Sequence, residues 1–470
     1  MFVSCFSLEN QLTSLSQLTI EQAEVIAIEN NRVIASLKEL YFKAKEGRLE
    51  SLSKWWPKVE AMSVMYGLEK YSTVSMGYSA FETQVSLSQA ILSTNRYYDV
   101  KISSLIVEQL ELLLNAAIID VLYQVRTSYY QVILDIENIA AAKEKVDLLY
   151  SLSIKAKDSY KIGTNILYGV NQSKVAISNA RAYYYEQISQ KKSDIDHLVN
   201  ILGYIPGSIE VSFPKILIPV EEIKEIQEKL SQMQVVFNKH TSSLEDEIFT
   251  PHYPLSEERV MSKLYSKEEI SKWQEVAMKY TPNVKVHENY VKIADKEVQK
   301  AKGTYLPEAR FRFNVGGNPS TVENLPTNSF GNQKMYWGAG VELNWLLFDG
   351  LGRERRVKQA QYEKRSKQYV YEQQVQITYE QVRKKIYQIE ESVANYISAQ
   401  ANVALAEQTI NLTSQQLDVG YSTIYDCQIS YDQFIQALNG KNRARFELIK
   451  AYFGLKHASG ADLEEKNVSK

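Results

Sequence analysis

The chain has 470 residues, a formal net charge of −2, 44% hydrophobic and 23% charged residues. That balance excludes a disordered chain and a basic nucleic-acid binder. Two cysteines, Cys5 and Cys427, exclude a disulfide framework and a cysteine-rich zinc module. Only 19 glycines and 10 prolines punctuate the chain, which favours long uninterrupted helices, and its 32 tyrosines are unusually many.

No stretch approaches about 18 consecutive apolar residues, so no transmembrane helix is predicted. A β-barrel would leave no such mark, because its strands alternate. The opening Met1-Phe2-Val3-Ser4-Cys5-Phe6 is too short for a secretory signal peptide. A removed signal, a truncated start and an internal location all stay open.

In chain order, a helix is predicted from about Ile20 to Leu52, stopping before Pro57, because proline disfavours a helical residue ahead of it. Two strands follow. Met62, Val64, Tyr66 and Leu68 share one face, as do Phe81, Val85, Leu87 and Ile91. A helix from about Arg96 to Lys161 would run about 100 Å. It reverses at Gly163, since glycine accepts the left-handed conformation, and a return helix reaches about Leu202. The segment Tyr204–Pro282 is rich in proline and charge, with short helices at Glu221–Gln234 and Lys267–Lys279 around His252-Tyr253-Pro254.

The same order then repeats. A helix from about Asn283 to Lys302 precedes Pro307, two strands follow, a long helix spans about Arg353 to Asp418, and after Gly420 a return helix reaches about Ala458. Pro57 and Pro307, and Ala44 and Ala294, match at an offset of 250. Ile162-Gly163 and Val419-Gly420, Gly203 and Gly460, and Tyr130 and Tyr387 match at 257. Leu122, Val125, Tyr129, Val132, Ile136 and Ile139 form a 4-3 apolar stripe, mirrored by Tyr379, Val382, Ile386, Ile389, Val393 and Tyr396. Such spacing marks the seam of packed helices, and its duplication predicts two copies of one long hairpin.

In the second half Trp337, Ala339, Val341, Leu343, Trp345 and Leu347 alternate with Gly338, Gly340, Glu342 and Asn344. Ala309, Phe311, Phe313 and Val315 alternate with Arg310, Arg312 and Asn314. Such segments suit strands wet on one side and apolar on the other, in a membrane barrel or in an amphipathic sheet covering a soluble core. Four strands cannot close a barrel with a usable lumen and leave two edges, which invite pairing with another chain. Three copies would supply twelve strands and a helical barrel below them.

Five scattered histidines without an i, i+4 pair predict no metal site. The Gly316-Gly317 and Gly338/Gly340 pairs sit in strand patterns and make no phosphate loop. No nucleophile–base arrangement appears, so no enzyme is expected, and no cofactor.

The chain resembles the TolC-type outer-membrane efflux proteins from about Leu18 to Gly460. The resemblance is carried by the passages ending at Pro57 and Pro307 and by the strand segment Val341-Glu342-Leu343-Asn344-Trp345-Leu346-Leu347-Phe348-Asp349-Gly350. The tips Tyr160-Lys161-Ile162-Gly163-Thr164 and Leu417-Asp418-Val419-Gly420-Tyr421, and the half-ending Ile201-Leu202-Gly203, complete it. It implies a mainly α protein with a small β component: two tandem repeats of strands and long helical hairpins. A homotrimer would form a twelve-stranded barrel in the outer membrane of a Gram-negative bacterium, continued by a periplasmic α-helical barrel. It further implies a passive exit duct for efflux or type I secretion. The implied partners are a periplasmic adaptor (membrane fusion) protein, an inner-membrane transporter and outer-membrane lipid, without nucleic acid.

On that resemblance the adaptor-contact tips fall on Ile162, Gly163, Thr164, Val419, Gly420 and Tyr421, and a carboxylate at the tunnel entrance falls on Asp426, with Asp432 a further candidate. The family's second acidic position falls on Ile429, and the first-repeat counterpart of Asp426 is Gly169, so the expected ring holds three charges rather than six. Phe311, Phe313, Trp337, Val341, Leu343 and Trp345 would face lipid, and Cys5, after Phe2-Val3-Ser4, resembles a lipidation site. The expected organisation is an N-terminal tail 1–17, a first repeat 18–203, an equatorial segment 204–282, a second repeat 283–460 and a tail 461–470. The competing reading is a soluble trimeric coiled-coil scaffold, which would have no use for an aromatic outer band from Trp337 to Trp345.

Overall fold

The computed structural model describes residues 17–69, 77–163, 166–214, 224–241, 264–319 and 333–462. In chain order the elements are α1 (Ile20–Asn30), α2 (Arg32–Ser53), β1 (Lys58–Glu69), β2 (Gly77–Leu92), α3 (Thr94–Lys161), α4 (Leu167–Ile201) and α5 (Lys224–Thr241). Then come α6 (Lys267–Tyr280), α7 (Pro282–Gly303), β3 (Glu308–Pro319), β4 (Gln333–Asn344), α8 (Gly352–Asp418) and α9 (Ile424–Ser459). The chain divides into two units, one of residues 1–36, 115–282 and 375–470, the other of 37–114 and 283–374. No helix among the described residues is long and apolar enough to cross a membrane.

In the first unit the duplicated stripe becomes core. Leu122, Val125, Tyr129 and Val132 of α3 are buried, and so are Val382, Ile386, Ile389, Val393 and Tyr396 of α8. Helix α9 packs against α4 and α6. The helix expected as one piece from about Ile20 to Leu52 breaks at Asn31 into α1 and α2. Asn31 is extended (φ −61°, ψ 127°), and its side chain accepts the Val33 N–H at 2.9 Å, capping α2. The second repeat breaks in the same way at Thr281 (φ −64°, ψ 116°), where Pro282 opens α7.

The breaks also hold the repeats together. Asn31 Nδ2 donates to the Ile201 carbonyl at 2.8 Å, and Thr281 Oγ1 donates to the Ala458 carbonyl at 3.2 Å. Both pairs follow the same offsets as the sequence repeat. Arg126 of α3 joins the two chain ends, donating Nε to Glu24 at 2.6 Å and Nη1 to Asp462 at 2.7 Å beside the Phe453 ring.

The segment between the repeats is pinned by an unusual residue. Where α3 has buried Ile133, α8 has buried Glu390 at the 257-residue offset. Glu390 takes the Tyr265 backbone N–H and faces Lys229. Lys229, itself buried, donates to the Leu264 carbonyl at 2.7 Å and to Glu269 at 2.9 Å. A buried charge survives only when paired in this way.

The second unit holds one antiparallel sheet in the order β1-β2-β3-β4, so β1 and β4 are its edges. Val85 stands opposite Val315, Phe311 opposite Val341 and Val315 opposite Trp337. Alternation then places Val59, Ala61, Leu87, Phe311, Phe313, Trp337, Val341 and Leu343 on one face. Ser86, Ser88, Arg310, Arg312, Asn314 and Glu342 share the other. The register places Met62 opposite Gln84, which puts Met62 on the face of Arg310 and Arg312. Alternation within one strand shows which residues share a face, and only pairing decides which face that is. A bulge between Ala90 and Leu92 re-phases β2, so that Leu92 rather than Ile91 pairs with Ala309.

Candidate functional site

Two places carry the candidate residues: the tips of the hairpins in the first unit and the apolar face of the sheet in the second.

At the first tip α3 ends at Lys161, and Gly163 turns the chain with φ +82°. Its N–H bonds the Tyr160 carbonyl at 3.1 Å, and Ile162 projects outward, 76% exposed. The second tip has the same construction. Gly420 has φ +81°, its N–H bonds the Leu417 carbonyl at 3.1 Å, and Val419 and Tyr421 are exposed. A Cβ on Gly163 or Gly420 would meet nothing within 4 Å, so conformation rather than space requires glycine there. Thr164 and Cys5 lie outside the described residues.

Beyond the turns the two tips diverge. Helix α4 starts from Ile166 without a side-chain cap, whereas α9 starts from Thr423 with a complete capping box. Asp426 Oδ2 accepts from the Thr423 N–H at 2.9 Å and the Thr423 hydroxyl at 2.6 Å, and the Asp426 N–H donates to Thr423 Oγ1 at 3.2 Å. The Thr423 side chain, then its backbone, then Ser422 hold the Asp426 carboxyl below the usual range, so it stays ionised. The negative charge also suits the helix N-terminus. The signal for this role was legible as Thr423-x-x-Asp426, a capping-box pattern.

Asp432 is six residues further on, which turns it about 240° around the helix from Asp426 at 3.6 residues per turn. Its carboxylate pairs with Lys145 of α3 at 2.8 Å, and nearer the tip Lys155 of α3 pairs with Asp418 of α8 at 3.0 Å. The structure therefore does not bring Asp426 and Asp432 together. The residues that engage Asp432 and Asp418, Lys145 and Lys155, escaped sequence reasoning because their partners are hundreds of positions away. Cys427 is buried with its thiol toward the Thr413 carbonyl. Among the described residues no group of three His, Cys, Asp or Glu could hold a metal.

On the sheet, Trp337, Val341 and Leu343 are 74%, 65% and 64% exposed, and Phe311 and Phe313 share their face. Large apolar side chains thus stand side by side on one exposed face. The opposite face carries the charges, with Arg310 paired to Glu308 and Arg312 to Glu342, alongside Met62 and Ala90. Trp345 falls just past β4, and its Nε1 donates to the Tyr305 carbonyl at 3.1 Å.

Residues 273–461 match the family model described as outer membrane efflux protein. Over 211 residues the chain is 23% identical to the alkaline protease secretion protein AprF of Pseudomonas aeruginosa, a match that covers 44% of this chain and 43% of that relative's length. Three solved structures share the fold over 94% of this chain. CusC, described in connection with transmembrane channel formation, has a TM-score of 0.74 at 12% identity over 92% of its chain. The Campylobacter jejuni CmeC outer membrane channel has 0.70 at 14% over 85%. The Vibrio cholerae outer membrane protein VceC has 0.69 at 11% over 96%.

Proposed function

We propose that this chain, TolC-like in fold and carrying an outer membrane efflux protein domain over residues 273–461, forms a passive outer-membrane exit duct. The observation that carries the reading is the four-stranded sheet, with Trp337, Val341 and Leu343 exposed on one face, charges on the other, and β1 and β4 as its edges among the described residues. Water is a poor solvent for such a face and lipid a good one. Three copies pair β4 of one with β1 of the next and close twelve strands around a polar lumen. The barrel lies in the outer membrane of a Gram-negative bacterium and the helical hairpins in the periplasm.

The duct performs no chemistry of its own and takes its energy from an inner-membrane transporter through a periplasmic adaptor. The adaptor meets the tips at Ile162, Gly163, Thr164, Val419, Gly420 and Tyr421. Asp426 stands at the entrance as three carboxylates of a trimer, while Asp432 is ion-paired with Lys145. The equatorial segment 204–282 braces the hairpins through Lys229 and Glu390. The named secretion relative supports a role in secretion, and the likeness to solved channels supports the conduit itself. Reconstitution into planar bilayers tests the reading: stepwise conductance from a trimer is expected, and a well-folded trimer without conductance would return the protein to the scaffold class.

A further inference from the structure

The sheet-bearing unit differs in charge from the rest of the chain. It has 24 lysines and arginines against 19 aspartates and glutamates, while the other unit has 30 against 37. Charge asymmetry of this kind points to an anionic surface as partner. Where β4 gives way to α8 the sheet unit exposes a run of apolar side chains. Leu347 is 75% exposed and Phe348 77%, and Leu351, held at φ +68°, is 54% exposed. Immediately afterwards come Arg353, Arg355, Arg356 and Lys358.

Most of these cations have partners. Arg353 is buried and donates to the Leu347 carbonyl at 2.9 Å, Arg356 pairs with Asp349 at 3.1 Å, and Lys358 pairs with Glu354 at 2.6 Å. Asp349 also accepts the Arg353 N–H at 2.9 Å, so the start of α8 already has its anion. No ion pair among the described residues engages Arg355, which is exposed. Leu351, Arg355, Lys358 and Tyr362 follow a 4-3-4 spacing and so lie along one stripe. An apolar patch beside an unpaired guanidinium, with an exposed tyrosine one turn on, suits a membrane–water boundary.

We propose that the β4–α8 junction binds anionic phospholipid, with Arg355 and Lys358 on the headgroup phosphate and Leu347, Phe348 and Leu351 among the roots of the acyl chains. The proposal rests on the reading that the sheet lies in the outer membrane. Guanidinium matches phosphate in both charge and hydrogen-bond geometry. A zwitterionic headgroup cancels that attraction, so the junction discriminates by net charge.

The test places the full-length protein in bilayers containing brominated phosphatidylglycerol or brominated phosphatidylcholine and reads tryptophan quenching, with Trp345 beside the junction. Wild type is expected to favour phosphatidylglycerol at low salt, and Arg355→Gln to lower that preference about fivefold. Adding Lys358→Gln should bring it near unity. Equal preference in wild type, or a preference untouched by both substitutions, would overturn the inference while leaving the membrane reading intact. Absence of quenching by either lipid would overturn the membrane reading and this inference with it. Loss of the trimer by light scattering in Arg355→Gln would assign the stripe to a second copy of the chain and overturn the lipid site.

Discussion

Gly203 lies so close to Asn30 that a Cβ built on it would stand 2.3 Å from the Asn30 carbonyl oxygen. The contact recurs in the second repeat, where a Cβ on Gly460 would stand 2.8 Å from the Tyr280 carbonyl carbon. Both glycines also have positive φ, +91° and +68°. The end of each return helix is thus clamped against the break in the helix that opens its repeat.

Gly203→Ala and Gly460→Ala should each destabilise the fold by ~2 kcal/mol or more, since neighbouring backbone must move. Gly420→Ala, with similar φ but open space, should cost only about 1 kcal/mol. Thermal denaturation followed by circular dichroism separates the two classes. Equal shifts would mean that the clamp is unimportant.

Arg126→Ala should loosen both chain ends together. It would leave Glu24 and the nearly buried Asp462 without their common cation, which costs about 3 kcal/mol or more when a buried pair is broken. Limited proteolysis should then cut near α1 and near the end of α9 at similar rates. Release of one end alone would show that the other is held independently.

Asp135 of α3 predicts a pH dependence. Burial, and then the Asp194 carboxyl as hydrogen-bond partner and like charge, raise it to about 7, against opposing effects from Gln131 and Lys191. Its folded value lies above the unfolded one, so the native state binds more protons between about pH 4 and 7. Stability should therefore fall as pH rises through that window, by an amount on the order of a few kcal/mol. Asp135→Asn should flatten the profile. Urea titrations at about pH 4 and about pH 8, roughly bracketing this window, check it, and identical slopes in both proteins would remove Asp135 from the account.

Asp426 combines a cap and a charge, and two substitutions separate them. Asp426→Asn keeps an oxygen for the cap and removes the charge, whereas Thr423→Ala removes most of the cap and keeps the charge. Weaker cation selectivity and weaker block by multivalent cations are expected in Asp426→Asn alone. If both variants change the bilayer currents alike, the residue acts through the order of α9. If neither does, Asp426 is a solvated cap.

The features that the sequence by itself determined are periodic or local. The duplicated 4-3 stripe, the glycine turns at 163 and 420, and the alternation around Trp337 each follow from chain geometry within a few residues, and so survive as α3, α8 and β4. Tertiary structure decided what depends on distant partners. Strand pairing placed Met62 on the face of Arg312, and the carbonyls of Ile201 and Ala458 were waiting for Asn31 and Thr281 at the helix breaks. Lys145 paired with Asp432 from another helix, and Glu390 found Lys229 and Tyr265 across the segment between the repeats. For the side-chain pairs the deciding term is the need to satisfy a buried or paired polar group, and the partner that satisfies it is set by packing rather than by sequence spacing.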